Sequence, residues 1–179
     1  MANKETPHID INKIAAEFVQ KNIATFVNAA TGILKKATDE VHLHLNRTYK
    51  AYIKCIGQKC SRTKSFLIRG EPVYLYKFFV PMSVQMGKTS IRGVGSHQLP
   101  RCSVIVASGG SGKSMLMKHL VLDSLIQQQK VPVFIQLQHF NHSDLDLVQL
   151  LQSTLLNNKF KMDEEYVIKA INSTLLRQA

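Results

Sequence analysis

The spacing of apolar positions changes twice along this chain, and each change predicts a different kind of structure. Between residues 9 and 60, apolar or small residues recur every three, four or eight positions, which is the pattern of one face of an α-helix. One helix of that length would extend roughly 75 Å. Gly32 interrupts the pattern, so we expect a break near Thr31–Gly32 and two helices that fold against each other. The positions on the apolar face are Ile11, Ile14, Phe18, Phe26, Ala30, Ile33, Ala37, Val41, Leu45 and Tyr52.

A strand pattern follows the helical one. Residues 73–80 are aromatic and β-branched, which favours a strand, and Pro81 argues against a central sheet position at its end. Residues 87–100 are rich in Gly, Ser and Thr and end in proline. We interpret them as a loop or linker, with a domain boundary near residue 98.

Beyond Pro100, strand and helix patterns alternate. A short apolar strand over 102–106 is followed by a helix over 112–129, with Met115, Leu116, Leu120, Leu125 and Ile126 on or near one face. A second strand, 131–137, precedes a helix from Ser143 to about Asn157 and a last helix that begins at Asp163. This order predicts an α/β fold with a parallel sheet.

Composition limits the class of protein. The chain has 179 residues, 45% hydrophobic and 20% charged, which is typical of a folded protein. No apolar run is long enough for a transmembrane helix, and the N-terminus lacks the apolar core of a secretory signal. The cysteines, Cys55, Cys60 and Cys102, are too few for a disulfide framework. We therefore expect a cytoplasmic protein without a membrane partner.

The net charge of +11 is concentrated in the middle of the chain. Residues 61–100 carry six Lys or Arg and one Glu. A basic stretch can bind nucleic acid, but no aromatic-basic module of the kind that binds nucleic acid is visible here. We favour a solubilising surface, or one that faces an acidic partner, over a nucleic-acid site.

One motif carries specific chemistry. Residues 107–114, Ala-Ser-Gly-Gly-Ser-Gly-Lys-Ser, fit the phosphate-binding loop, with alanine in the first glycine position. Glycines let the backbone approach an anion, and successive N–H groups form a concave nest that the next helix continues. Lys113 would reach the β- and γ-phosphates of ATP, and the Ser114 hydroxyl would bind Mg²⁺. The candidate nucleotide-binding residues are Ala107, Ser108, Gly109, Gly110, Ser111, Gly112, Lys113, Ser114 and Met115.

Hydrolysis requires an acidic residue at the end of an apolar strand, which holds the metal and polarises water. Asp144, Asp146 and Asp163 instead open helices, where negative charge is favourable by itself. We therefore name no catalytic residue, and we leave open whether the chain is an enzyme.

Residues 103–120 resemble the start of a NACHT module, found in signalling NTPases of the STAND class, and the likeness is greatest to bacterial anti-phage defence proteins. Residues 131–137 are similar to the second strand of that family, and residues 64–81 to its connecting region. The likeness extends over about residues 45–179. It implies ATP binding, conformational switching, self-association and a C-terminal sensor. It also implies that other strands lie between the two core strands, so this chain would be a fragment or a short variant that does not hydrolyse ATP.

These observations predict three regions: an N-terminal helical region (1–62), a β-containing linker (63–98) and the first part of a P-loop NTPase domain (99–179) with an incomplete parallel sheet. The leading hypothesis is an ATP-binding switch. The alternative is a helical interaction or effector module, in which the nucleotide site is structural or vestigial. A small-molecule kinase fits less well, because Arg177 is the only arginine after Arg101.

Overall fold

The computed structural model describes residues 9–31, 39–64, 70–100, 102–128, 130–136 and 146–161, and the side chains of these residues except 23–31 and 39–42. In those ranges it has four helices and two small antiparallel sheets, so the fold is mixed α and β. The helices are α1 (Ile11–Thr31), α2 (Asp39–Ser61), α3 (Lys113–Gln127) and α4 (Leu147–Asn157). The sheets pair β1 (Arg62–Thr63) with β2 (Val73–Tyr74), and β3 (Ser83–Met86) with β4 (Thr89–Arg92).

The two N-terminal helices are confirmed. Helix α1 ends at Thr31, where the break is predicted, and α2 begins at Asp39. Gly32 lies outside the described residues. Phe18, Leu45 and Tyr52, three positions of the predicted apolar face, are fully buried. Among the described helices, none is both long and apolar enough to cross a lipid bilayer.

The chain divides into two compact units. The first unit comprises Met1–Ile11 and Gly57–Pro132, and the second comprises Asn12–Ile56 and Val133–Ala179. The predicted boundaries at residues 62 and 98 separate regions by their expected function, not by compactness. They therefore stay predictions. Described core residues of the first unit are Cys60, Leu75, Val94, Leu116, Val121, Leu122 and Leu125, and those of the second are Ala15, Phe18, Val19, Leu45, Tyr52, Ile53, Ile56, Leu150, Leu155 and Phe160.

Helix α3 follows the prediction with a shifted face. Leu116 and Leu125 are buried as expected. Ile126 is instead 44% exposed, and Val121 and Leu122 are buried in its place. Apolar residues lie on more than one face of α3, so the sequence pattern alone does not determine which face is buried.

A β-hairpin occupies part of the segment interpreted as a loop. Strands β3 and β4 pair with Met86 opposite Thr89, which leaves Gly87 and Lys88 as a two-residue turn. Gly87 has φ of +59°. Two-residue hairpin turns with glycine first require this conformation, and its steric cost is lowest for glycine. The loop interpretation of residues 87–92 was therefore wrong, because the alternation of half-buried Val84, Met86 and Ile91 is a hairpin signal.

The long strands predicted by apolar runs are not formed by the described residues. Residues 104–106 and 131–136 have irregular backbone, and the predicted strand over 73–80 is reduced to the two residues of β2, followed by a 3-10 helix over Leu75–Lys77. Val104 and Val106 are each 86% exposed. A strand is stabilised by pairing with a neighbour, and the described residues supply no neighbour at 104–106.

Helix α4 is defined by hydrogen bonds at both ends. Asp146 caps its start, since its carboxylate accepts from the Gln149 N–H at 2.7 Å and the Gln149 side chain accepts from the Asp146 N–H at 3.0 Å. The predicted start at Ser143 lies outside the described residues, as does the helix predicted from Asp163. At the other end, Lys159 donates to the Leu156 carbonyl and Phe160 to the Leu155 carbonyl, each at 3.0 Å. This is a Schellman motif, and buried Phe160 and Leu155 supply its apolar contact.

The Schellman motif predicts a stabilising substitution at Lys159. Lys159 has φ of +67°, a left-handed conformation that is strained for any residue with a Cβ. We expect Lys159→Gly to be more stable than Lys159→Ala by roughly 0.5–1 kcal/mol in urea unfolding. The alanine variant is the matched control, because it removes the same side chain and keeps the Cβ. A glycine variant less stable than the alanine variant would contradict this account.

Candidate phosphate-binding site

The predicted phosphate loop has the backbone conformation that its glycines allow. Gly110 and Gly112 have φ of +77° and +87°, and Gly112 is the N-cap residue of α3. Ser111, between them, does not have a positive φ. Such alternation turns successive N–H groups toward one side, which forms a concave surface for an anion. No side chain caps α3, so its first N–H groups extend the same surface.

Lys113 is the first residue of α3, and its side chain folds back across the loop. Its amino group donates to the carbonyl oxygens of Ala107 and Ser108, each at 2.7 Å. The Ser111 N–H turns back toward the Ser108 carbonyl at 3.4 Å. The loop therefore surrounds the lysine amino group and holds it beside the N–H groups at the start of α3.

One side of the loop is open and the other is packed. A Cβ added at Gly109 or Gly110 would have no atom within 4 Å, so a ligand can approach the backbone there. At Gly112 an added Cβ would lie 3.3 Å from the Met82 sulfur, so Met82 covers the packed side. The Ser111 hydroxyl is buried and, among the described residues, has no hydrogen-bond partner.

The remaining predicted residues lie where the motif requires. Ser114 is exposed as the second residue of α3, and half-buried Met115 is the third. A pocket of about 370 Å³ adjoins the loop and shares Ala107, Ser111 and Lys113 with it. Its other walls are formed by residues 82–85, residues 104–106 and Leu116. Its volume is in the range of small-molecule sites.

Polar contacts from two earlier segments fix α3 in position. The Tyr76 hydroxyl lies 2.9 Å from Nδ1 of His119, and a further hydrogen bond joins the His119 ring to the Val94 backbone. One turn later, the Asp123 carboxylate accepts from both the N–H and the hydroxyl of Ser96, each at 2.7 Å. We call these four side-chain and backbone contacts the α3 anchor.

Aromatic packing completes the anchor. The Phe79 ring stacks on His119 with centroids 4.4 Å apart, and Tyr76 meets both rings edge-on. Burial lowers the pKa of His119, although the charge of Asp123 and the bond to Val94 act in the opposite direction. His119 therefore packs α3 against Tyr76 and Phe79. Tyr76 and Phe79 pack within the first unit.

The pKa of Asp123 results from opposed effects. Burial raises it, but the two bonds from Ser96, a bond from Gln127 and the charge of His119 lower it, and the result is below the ordinary value. Burial also raises the pKa of Tyr76, and Tyr74 and Asp123 raise it further. At neutral pH the anchor therefore consists of an ionised Asp123, a neutral His119 and a Tyr76 hydroxyl that retains its proton.

Sequence reasoning identified the loop but not the residues that support it. Ser96, Met82 and Asp123 were not singled out, and Val94 contributes only a backbone atom. One sequence signal pointed to such a support: Asp123 lies on an otherwise apolar stretch of α3. A half-buried carboxylate there needs hydrogen-bond donors from another part of the chain. Ser96 could not be identified as that donor, because 27 residues separate the two.

Metal-binding and redox chemistry have little support elsewhere in the described residues. Those residues contain no group of three or more His, Cys, Asp or Glu side chains placed to hold a metal ion. Asp146 caps α4, as expected of an acidic residue at a helix start. The three cysteines are free thiols, with Cys55 half-buried, Cys60 buried and Cys102 exposed.

Comparison with known proteins adds no family assignment. No protein-family model, no curated protein and no solved structure matches this chain. The geometry of the loop and of the surfaces around it is therefore the basis for the function proposed below.

The α3 anchor predicts that stability falls in mild acid. The unfolded chain protonates His119 near its ordinary pKa of 6.5, whereas burial in the folded chain disfavours the proton. The folded state therefore binds fewer protons just below that pH, so its stability is complete above the unfolded pKa and declines as the pH falls below it. We expect His119→Gln to reduce the slope of unfolding free energy between pH 7 and 5 measured in urea.

The matched control is His97→Gln, because His97 is exposed and lies in the same unit. Its pH dependence is expected to follow that of the unsubstituted chain. If both variants retained the full slope, His119 would not be the responsible group.

Proposed function

We propose that this chain is the ATP-binding portion of a NACHT-type STAND signalling NTPase that switches and self-associates in anti-phage defence. The observation that carries the nucleotide site is the loop itself: two glycines with positive φ, an open backbone at Gly109–Gly110, and Lys113 beside the uncapped start of α3. The family assignment rests on the resemblance of residues 103–120 and their flanks. Self-association and a sensor beyond the ATP-binding portion belong to the same proposal.

The residues fit a Mg·ATP ligand in their chemistry. The N–H groups from Gly109 to Met115 would cradle the phosphates, and Lys113 would exchange its carbonyl partners for phosphate oxygens. The exposed Ser114 hydroxyl would bind Mg²⁺. The bound metal would supply charge that neutralises the phosphates. The chain contributes binding and orientation, and we assign hydrolysis to none of its residues.

The proposal includes the parallel sheet that this site has in P-loop proteins. Residues 104–106 would be its first strand and residues 131–137 another. Exposed Val104 and Val106 are suited to burial against further strands. We place the protein in the cytoplasm, which supplies ATP and keeps thiols such as Cys60 and Cys102 reduced.

Mg·ATP binding by the full 179-residue chain tests the nucleotide site. We expect weak binding, because the described residues form no parallel sheet beside the loop, and a loss of at least about tenfold in Lys113→Ala, since the variant removes the charge that would meet the phosphates. Ser114→Ala is expected to remove the gain in affinity that Mg²⁺ provides. Titration calorimetry with and without Mg²⁺ measures both effects.

Lys88→Ala is the control, because Lys88 is exposed at the hairpin turn and distant in sequence from the loop. An unchanged affinity in Lys113→Ala would contradict the proposal. Tight binding by the unsubstituted chain would show that the described strands and loop suffice without a complete sheet.

The second candidate function is a helical interaction or effector module. The observation in its favour within residues 1–62 is the exposed apolar side chain of Leu43; three more exposed apolar side chains of the same unit, Leu147, Val148 and Leu156, lie on α4. In this case residues 1–62 alone would self-associate or bind a partner without nucleotide. Sedimentation of that segment, with and without ATP, distinguishes it from the first proposal.

A further inference from the structure

A second concave region of the first unit is lined by positive charge. It is a pocket of about 570 Å³ formed by the end of α2, by β1 with the residue that follows it, by Pro72 and by α3. Four of its lining residues are cations: Lys59, Arg62, Lys64 and Lys118. The other lining residues are uncharged. We call this region the basic pocket.

No carboxylate neutralises these four cations within the described ranges. An ion pair joins Lys13 and Glu17 on another helix, and none of the four cations has an acidic group of a described residue within 4.0 Å. Their charges also reach a neighbouring buried thiol. Burial raises the pKa of Cys60 to about 11, and the charges of Lys118 and Lys59 oppose this rise. Lys59 and Lys118 therefore act on one shared region.

Two of the cations have structural roles as well. Lys59 lies in the last turn of α2, where a positive charge favours the helix end. The Lys118 amino group donates to the Arg62 carbonyl at 2.8 Å, which ties α3 to β1 and leaves two further N–H donors. Arg62 and Lys64 have no such side-chain bond among the described residues. Both side chains are exposed and so are accessible to a ligand in the pocket.

We propose that the basic pocket binds a compact anion with several phosphate groups. Four cations from three elements converge on one cavity, and a ligand with high charge density would relieve their mutual repulsion. Arg62 can bind two phosphate oxygens at once, and the lysines bind phosphate as point charges. Thr63 is also in the lining, and its hydroxyl donates to the Lys64 carbonyl at 3.5 Å, a long bond that a phosphate oxygen could replace.

The shape of the pocket favours a compact ligand over a polymer. In an extended acidic peptide, side chains on one face are about 6.6 Å apart, so several carboxylates would not fit in one cavity. A nucleic-acid strand is met by a charged groove with aromatic stacking surfaces. The described lining of the basic pocket contains no aromatic residue.

The basic pocket is separate from the phosphate loop. No residue that lines the basic pocket also lines the pocket beside the phosphate loop. Lys113 and Lys118 lie five residues apart on α3, which corresponds to about 7.5 Å along the helix and about 140° around it. Because both residues are on one helix, an anion in the basic pocket would act on the helix that begins at the loop.

The test uses a paired substitution that avoids the structural contacts. Arg62→Gln with Lys64→Gln removes two exposed cations from the pocket lining. Lys77→Gln with Lys88→Gln is the matched control, because it removes the same charge from exposed positions of the same unit outside the pocket. Both pairs are made in the full chain carrying Lys113→Ala, so that loss of binding at the phosphate loop cannot affect the result. Circular dichroism checks that each variant is folded.

The probes are inorganic tripolyphosphate and inositol hexakisphosphate, titrated without Mg²⁺ in calorimetry. We expect at least one probe to bind, and the pocket pair to weaken it by about tenfold or more while the control pair changes it by less than about threefold. Preference between the probes distinguishes a linear phosphate chain from phosphates on a ring. Equal loss in both pairs, or no binding of either probe, would overturn the proposal. Tighter binding of a single-stranded DNA of about 20 nucleotides, with the same dependence on Arg62 and Lys64, would overturn it in favour of a nucleic-acid surface.

Discussion

The position of α3 depends on the part-buried polar contacts of the α3 anchor, and the phosphate loop depends on α3. Tyr76 and Val94 hold His119, and Ser96 holds Asp123, so segments from both sides of the β3–β4 hairpin bind one face of the helix. A half-buried carboxylate without donors would be costly, so this arrangement selects one position of the helix. Lys113 begins the same helix, and the anchor therefore sets where its backbone N–H groups point.

The local parts of this arrangement were predictable from sequence. The break at Thr31 and the start of α3 at the loop each follow from residues within a few positions. Glycine conformation, capping and helical spacing act over that short range. The residues of the phosphate loop were identified for the same reason.

The parts that depend on distant partners were not predictable. An apolar run such as 104–106 predicts a strand. A strand forms only when another strand pairs with it, and the described residues provide no such partner. The β3–β4 hairpin had a local signal in Gly87 that was interpreted as a loop. The contact between Ser96 and Asp123, and the convergence of Arg62 and Lys118 on one pocket, have no sequence signature, because chain folding alone brings them together.

The two bonds of Lys113 affect which anions the loop can select. Its amino group already has two oxygen partners, the carbonyls of Ala107 and Ser108. The ammonium group has three N–H donors, so an ion with a single contact atom could accept from the third donor and leave both carbonyl bonds in place. An ion with several oxygen atoms could also displace the two carbonyls and accept from more than one donor. In the proposed site, the two carbonyls would therefore compete with the ligand for the lysine, and only a polydentate oxyanion could take over more than one of its bonds.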